Sequence, residues 1–390
     1  MANFFDKVVN RKDSHSLKWD KYQCKDIIPM WVADMDFPSS PAITEALQKR
    51  AEHGIFGYTL EPKELKDAIV EMYKRDFNWD IKSEWLVMLP SVVSALNTCA
   101  WVFAGPNKSV LTVKPVYHPF FLAPVHAGSK MNLSTLKMAY NTKLERDEYV
   151  LNFKELEEVT TPDTSLWIFC NPHNPVGKVF TREELEQVAD FVLKHDLVLC
   201  CDEIHSGLVL DEEVRHIPIA SLSEEIANRT ITLNAPSKTF NIAGLNFGFA
   251  IIPNAELRKR FAVVNDGFSP YVNLFAYEAA LQAYTNSSEW YNGLIAYLRE
   301  NRNIVEEFVN NNEHLSLEHS QATYLSWIDI TKLQLDEPTQ YFEQYGVGFN
   351  DGRIFGKDGF IRLNFGCPKK LLLEGLKRLE NAVNDRMKMM

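Results

Sequence analysis

Residues 197–205 read Leu-Val-Leu-Cys-Cys-Asp-Glu-Ile-His, an apolar run that stops on two carboxylates and a histidine. A run with no polar alternation is what a strand needs when both faces of its sheet are covered. Polar groups directly after it sit at the carboxyl edge of the strand, where open α/β sheets bind ligands. The same form recurs at 109–113, 166–170, 230–234 and 247–252, and in a shorter run at 85–89. Helical periods fall between these runs, at 64–75, 91–104 and 182–195. In the second, Val92, Leu96, Cys99, Ala100 and Phe103 share one face and Gly105-Pro106 ends it. Strands alternating with helices predict βαβ units and a mostly parallel sheet, hence an α/β fold.

The pattern changes after about residue 253. A long, interrupted helical region runs to 311. It is followed by strand-like 324–330, a glycine-containing segment at 346–359, a strand at 360–365 and a closing helix at 369–387. This predicts a second, smaller α+β unit, which the N-terminal arm is expected to join.

A chain of 390 residues is long enough for both units. With 46% hydrophobic and 24% charged residues, the composition is that of an ordinary globular protein. The net charge of −11, with both signs mixed along the chain, disfavours nucleic acid or an anionic membrane as partner. Residues 1–20 are polar and lack the apolar core of a signal peptide. No apolar run approaches the length of a membrane span, and no DNA-binding domain is expected ahead of Ile27. The six cysteines form no C-x-x-C pair, so buried reduced thiols in a cytoplasmic protein are expected, with no metal site.

Four strand ends carry polar residues that suit one ligand. Ser91-Val92-Val93-Ser94 opens a helix after the run at 85–89, where free amides favour a phosphate by about 0.3–1 kcal/mol. Asn171-Pro172-His173-Asn174-Pro175-Val176-Gly177 follows 166–170, and Asn174 can donate to a phenolate oxygen. Asp202, after 197–201, can pair with a protonated ring nitrogen through a charge-assisted bond worth about 1.5–3 kcal/mol. His205 lies three residues on. Lys238, in Pro236-Ser237-Lys238-Thr239 after 230–234, can form an imine with an aldehyde. Read singly, each is an ordinary residue: a helix cap, a turn, a structural carboxylate, one of 41 Lys and Arg. Together they match a cofactor with a phosphate, a phenolic oxygen, a pyridine nitrogen and an aldehyde.

At this point the chain resembles a known family. The strings Asn10-to-Asp20 (NRKDSHSLKWD), Met30-to-Phe37 (MWVADMDF), Pro115-to-Phe121 (PVYHPFF), Cys170-to-Gly177 (CNPHNPVG), Asp202-to-Ser206 (DEIHS), Ala235-to-Leu245 (APSKTFNIAGL), Ala322-to-Asp329 (ATYLSWID) and Phe360-to-Pro368 are similar to those of fold-type I pyridoxal 5′-phosphate enzymes. Within that group they resemble the PatB/MalY-type cystathionine β-lyases. The resemblance implies an aspartate-aminotransferase-like α/β fold, with an arm at 1–50, a large cofactor domain at 51–285 and the rest of the small domain at 286–390. It implies that Lys238 carries the cofactor and shuttles the proton, that Asp202 faces the pyridine nitrogen, and that Asn174 and His205 bond the ring hydroxyl oxygen. Tyr117 would cover the ring face and assist the leaving group. Val92, Val93, Ser237 and Tyr58 of the neighbouring subunit would hold the phosphate, so a homodimer with shared sites is implied. Arg362 would fork the substrate carboxylate, beside Ala33 and Asn174.

Two positions depart from the family pattern: Ser91 stands where glycine is usual, and Gly207 where aspartate usually follows D-E-I-H-S. Asn246 stands where aspartate aminotransferases carry a phosphate-binding arginine, as the resemblance to the lyase group implies. The reaction implied is β-elimination from an L-cysteine S-conjugate such as cystathionine, giving a thiol, pyruvate and ammonia. The alternatives are an aminotransferase on the same scaffold, or a cofactor-bound regulator that acts by binding another protein.

Overall fold

The computed structural model describes residues 2–390. At its centre lies a seven-stranded sheet of β1 (Leu86–Leu89), β2 (Ser109–Lys114), β3 (Lys130–Thr135), β4 (Thr164–Cys170), β5 (Val198–Asp202), β6 (Thr230–Asn234) and β7 (Gly248–Ile251). Their order is β1-β7-β6-β5-β4-β2-β3. β7 runs antiparallel to both neighbours and every other pair is parallel. All five residues of β6 are buried, as the unbroken apolar runs require.

Helices cover both faces of this sheet. They include α1 (Lys63–Phe77), α2 (Val92–Phe103) and α3 (Arg182–Lys194). Their starts are set by local chemistry. The Thr181 hydroxyl accepts from the Glu184 amide and the Glu184 carboxylate accepts from the Thr181 amide, which caps α3 at both ends of the exchange. At α2, Ser91 Oγ accepts from Ser94 N at 3.0 Å.

The second half contains α4 (Ala255–Phe268), α5 (Leu274–Thr285) and α6 (Ser288–Asn310). An antiparallel sheet of β8 (Ser316–Leu317), β9 (Leu325–Asp329), β10 (Asn350–Asp351) and β11 (Phe360–Asn364) follows, in the order β8-β9-β11-β10, and α7 (Lys369–Met389) closes the chain. The arm joins this half: Phe5, Ile28, Met30 and Phe37 pack in one core with Trp290, Leu298, Ile361 and Leu379. Leu208, Leu210 and Phe240 from the large sheet's loops enter the same core.

The structure also holds elements that the periodicity did not announce. β3 and a hairpin of Lys137–Asn141 with Arg146–Val150 lie on the edge and surface, where lysine, asparagine and serine replace apolar alternation. β5 includes Asp202 as its last residue, so this carboxylate is held by the ladder itself.

A buried ionic knot fixes the arm. Asp36 accepts from Arg11 Nη1 at 2.7 Å, from Lys18 Nζ at 2.7 Å and from Trp19 Nε1 at 2.8 Å, and Lys18 is wholly buried. Removing one member of such a cluster leaves a buried charge without compensation. Asp36→Asn should therefore destabilise the protein by about 3 kcal/mol, read as a lower urea midpoint with an unchanged slope.

Candidate active site

The carboxyl ends of β4, β5 and β6 open onto a cavity of about 270 Å³ between the large sheet, the arm and β11. Ala33, Val92, Val93, Tyr117, Asn174, Asp202, His205, Ser237, Lys238 and Arg362 all line it. Tyr58 does not. It lies fully exposed on the surface of the chain, at 102% of its reference area.

Each side chain is aimed by its element. The loop after β4 returns through Gly177 at φ +71°, where any Cβ would fall 1.9 Å from Ser320 Oγ. The Gly177 carbonyl accepts from Ala322 N, so this loop is fastened to the second half. Asn174 is thereby held with its carbonyl oxygen 3.0 Å from Arg362 Nη1. Arg362 sits on β11 opposite Asn350 of β10, and its Nη2 donates to Asn350 Oδ1 at 2.9 Å and to Trp31 O at 3.1 Å. The Phe355 ring lies under its guanidinium at 4.6 Å. Lys238 Nζ donates to the Ala33 carbonyl at 2.8 Å, as does Tyr324 Oη. Asp202 Oδ1 accepts from Ile204 N at 3.1 Å.

Burial sets the electrostatics. It lowers the Lys238 amine to about 8, helped by the Arg362 charge and opposed by Asp34 and Asp202. It raises Asp202 to about 7, against the Ile204 amide and Lys238. His205 is pushed down to about 3 by burial and by the two nearby cations, so it is neutral. Arg362 is lowered to about 10 and stays charged at neutral pH. An amine near 8 has a substantial unprotonated fraction at neutral pH and is a ready nucleophile or base.

The donor set fits pyridoxal phosphate. His205 Nδ1 and Arg362 Nε are buried without a partner among the described residues, and buried polar atoms left so call for a ligand. The carboxylate of Asp202, at a strand end, suits a ring N–H. The amides of Val92 and Val93 begin α2 and have no intrahelical acceptor, while Ser91 Oγ is used on Ser94. Ser91 itself is extended, at φ −165° and ψ 156°, a conformation open to any residue, so its replacement of glycine leaves the turn intact.

Sequence reasoning passed over Asn350, Phe355, Trp31 and His118, which also line the cavity. β10 is two residues long and carries no readable period. Its pairing with β11 is what gives Asn350 its place.

Comparison with known proteins gives a consistent set. The profile of the aminotransferase class I and II family matches residues 25–379. The chain is 36% identical over 394 residues to cystathionine beta-lyase PatB of Bacillus subtilis (strain 168), across 97% of this chain and 100% of that protein. It superposes on a crystal structure of OvoB with a TM-score of 0.93 and 42% identity, over 97% of this chain and 98% of that one. It also superposes on cystalysin from Treponema denticola, whose crystal structure contains pyridoxal 5′-phosphate, with a TM-score of 0.92 and 33% identity, over 98% of each chain.

The raised Asp202 pKa carries a stability consequence. Between its ordinary value of 3.8 and about 7, the folded cofactor-free protein holds a proton that the unfolded chain has released. Stability is then lost as pH rises through that window. Lys238 acts with the opposite sign, and only above about 8. Cofactor-free Asp202→Asn should thus gain roughly 2 kcal/mol relative to the parent protein between about pH 5 and about pH 8, measured by paired urea titrations.

Proposed function

The chain belongs to the aminotransferase class I and II family, and on that premise we propose that it is a pyridoxal-5′-phosphate-dependent carbon–sulfur β-lyase. It cleaves cystathionine or related L-cysteine S-conjugates to a thiol, pyruvate and ammonia. Its fold is the aspartate-aminotransferase-like fold of type I pyridoxal phosphate enzymes. The observation that carries the reading is the convergence of the Lys238 amine, the Asp202 carboxylate and the Arg362 fork in one buried cavity.

When bound, the cofactor supplies an aldehyde that captures the substrate amine and a protonated ring that draws electrons from Cα. The chain supplies the rest. Lys238 would carry the cofactor, and its amine would take the proton from Cα. Asp202 would keep the ring nitrogen protonated. Asn174 and neutral His205 would bond the ring hydroxyl oxygen. Val92, Val93 and Ser237 would hold the phosphate. Arg362, with Ala33 and Asn174 alongside, fixes the substrate carboxylate so that Cα–H faces Lys238. Tyr117 covers the ring and assists the departing sulfur. The Cβ–S bond breaks, the sulfur leaves as a thiol with the proton taken from Cα, and water converts the three-carbon enamine product to pyruvate and ammonia.

The enzyme works as a cytoplasmic homodimer in which Tyr58 completes the neighbour's phosphate site. Six free cysteines, five of them buried, suit a reducing compartment. Among the described residues no helix is long and apolar enough to cross a membrane. Ile55, Phe56, Tyr58, Leu60, Phe268 and Tyr271 are each more than half exposed, apolar surface that an isologous interface would cover. Tyr271 shares a cleft with Ser91 and Asn246, beside the phosphate end of the cavity.

The cofactor-loaded protein should release pyruvate and free thiol from L-cystathionine. Lys238→Ala should lower kcat by about a thousandfold or more and abolish the visible absorbance of the bound cofactor. No pyruvate from an enzyme that retains that absorbance, with turnover of a keto acid instead, would point to transamination. Shared sites predict complementation: mixing Tyr58→Ala and Lys238→Ala subunits should regenerate one intact site per mixed dimer and restore activity that neither variant has alone.

A further inference from the structure

Behind the Lys238 loop lies a second cavity of about 190 Å³, which the proposed reaction does not use. Pro236 and Thr239, on either side of Ser237-Lys238, line it, and so does Gly207, two residues after His205. One wall is aromatic. Phe240 meets Tyr284 edge-on with centroids 6.2 Å apart and meets Tyr291 at 6.1 Å. The partly exposed Tyr284 and Tyr291 line the cavity, and no protein hydrogen bond perturbs either phenol. Burial raises the Tyr284 phenol well above its ordinary value, which keeps it a neutral donor. On another side Gly207 packs directly against Thr239, where a Cβ would stand 2.8 Å from Thr239 Oγ1. The sequence string D-E-I-H-S is followed here by this glycine, which lines the cavity.

These features define a ligand. An apolar cavity of about 150 Å³ is enough to hold benzene, so this one accommodates a single ring with a small substituent. Phenol-type hydroxyls on the wall select a ligand that carries a hydrogen-bonding group of its own. The charged groups on the rim, Arg75 and Asp76, are paired with each other at 2.7 and 2.8 Å, which leaves no net charge to recruit an ion. We infer that this cavity is an effector site for a neutral, single-ring aromatic bearing a hydroxyl or amino group. A ligand there presses on Thr239 and Gly207, which sit in the two loops that hold Lys238 and His205. Its binding is therefore coupled to how those groups are held in the reaction cavity.

Isothermal titration of the cofactor-loaded protein with phenol tests the site, with visible circular dichroism reporting on the Lys238 environment. The expected result is one phenol per chain, with a Kd of about 1 mM or tighter and a saturable change in the cofactor band. Tyr284→Phe should weaken phenol about fivefold while leaving toluene unaffected, the signature of one lost hydrogen bond. Gly207→Ala, whose Cβ would crowd Thr239, should weaken both compounds. Neither residue touches the reaction cavity, and the binding readout does not depend on which reaction the enzyme performs. Absence of saturable binding, or affinities unchanged in both variants, would each overturn the inference.

Discussion

The structure hangs on the backbone of residues 31–37, a segment outside any sheet whose carbonyls must still find donors. They find them in side chains from both halves of the molecule. Trp31 O accepts from Arg362, Val32 O and Asp34 O from Asn364, Ala33 O from Lys238 and Tyr324, and Met35 O and Phe37 O from Asn241. The segment is therefore a seam, and the two groups that matter most for chemistry, Lys238 and Arg362, are sewn to it from opposite sides. The Asp36 knot with Arg11, Lys18 and Trp19 holds the seam in place from behind.

The seam places ionisable groups where water is scarce, and each group responds in its own direction. An amine is pushed down and a carboxyl up, so that Lys238 and Asp202 approach one another in pKa from opposite ends of the scale. For Lys238 this shift leaves an amine able to exchange a proton near neutral pH, whereas a cation set against Asp202 would favour its ionised form. His205 is driven the other way from a switch. Two cations and full burial hold it neutral, so it can serve only as a hydrogen-bonding partner. Arg362 keeps its charge and is clamped by Asn174, Asn350 and the Trp31 carbonyl, so a carboxylate meets a fork already oriented.

Much of this could be read from the sequence because it is governed by local rules. The buried strands are apolar without alternation, and the helix starts carry capping residues, so 230–234 and 182–195 are legible within a residue or so of the observed elements. The strand-end residues Asn174, Asp202 and Lys238 were readable for the same reason, since the sheet rule fixes where chemistry can sit. Asn350 and Phe355 were not, because their roles come from pairing across β10 and β11, and a two-residue strand has no period. β3 escaped notice as an edge strand with polar faces. Tyr58 illustrates a different limit: the resemblance implied a phosphate-site role, and within one chain it is a surface residue.

Among the described residues, the phosphate end of the cavity carries no full positive charge of its own. Asn246 occupies the position where an arginine would bring a full charge, and its backbone is left-handed at φ 58°, ending the short turn of Ala243–Leu245. What remains nearby is neutral: the first amides of α2 and the Ser237 hydroxyl, with Ser91 already committed to capping. Neutral donors bind an anion well only when several converge and water is kept out. The apolar surface beside Tyr271 is open in the single chain, so that exclusion requires a covering surface. The proposed dimer, in which a second subunit brings Tyr58 as a further donor and covers this face, would meet both needs. It would tie the absence of an arginine at Asn246 and the exposed side chain of Tyr271 to one arrangement.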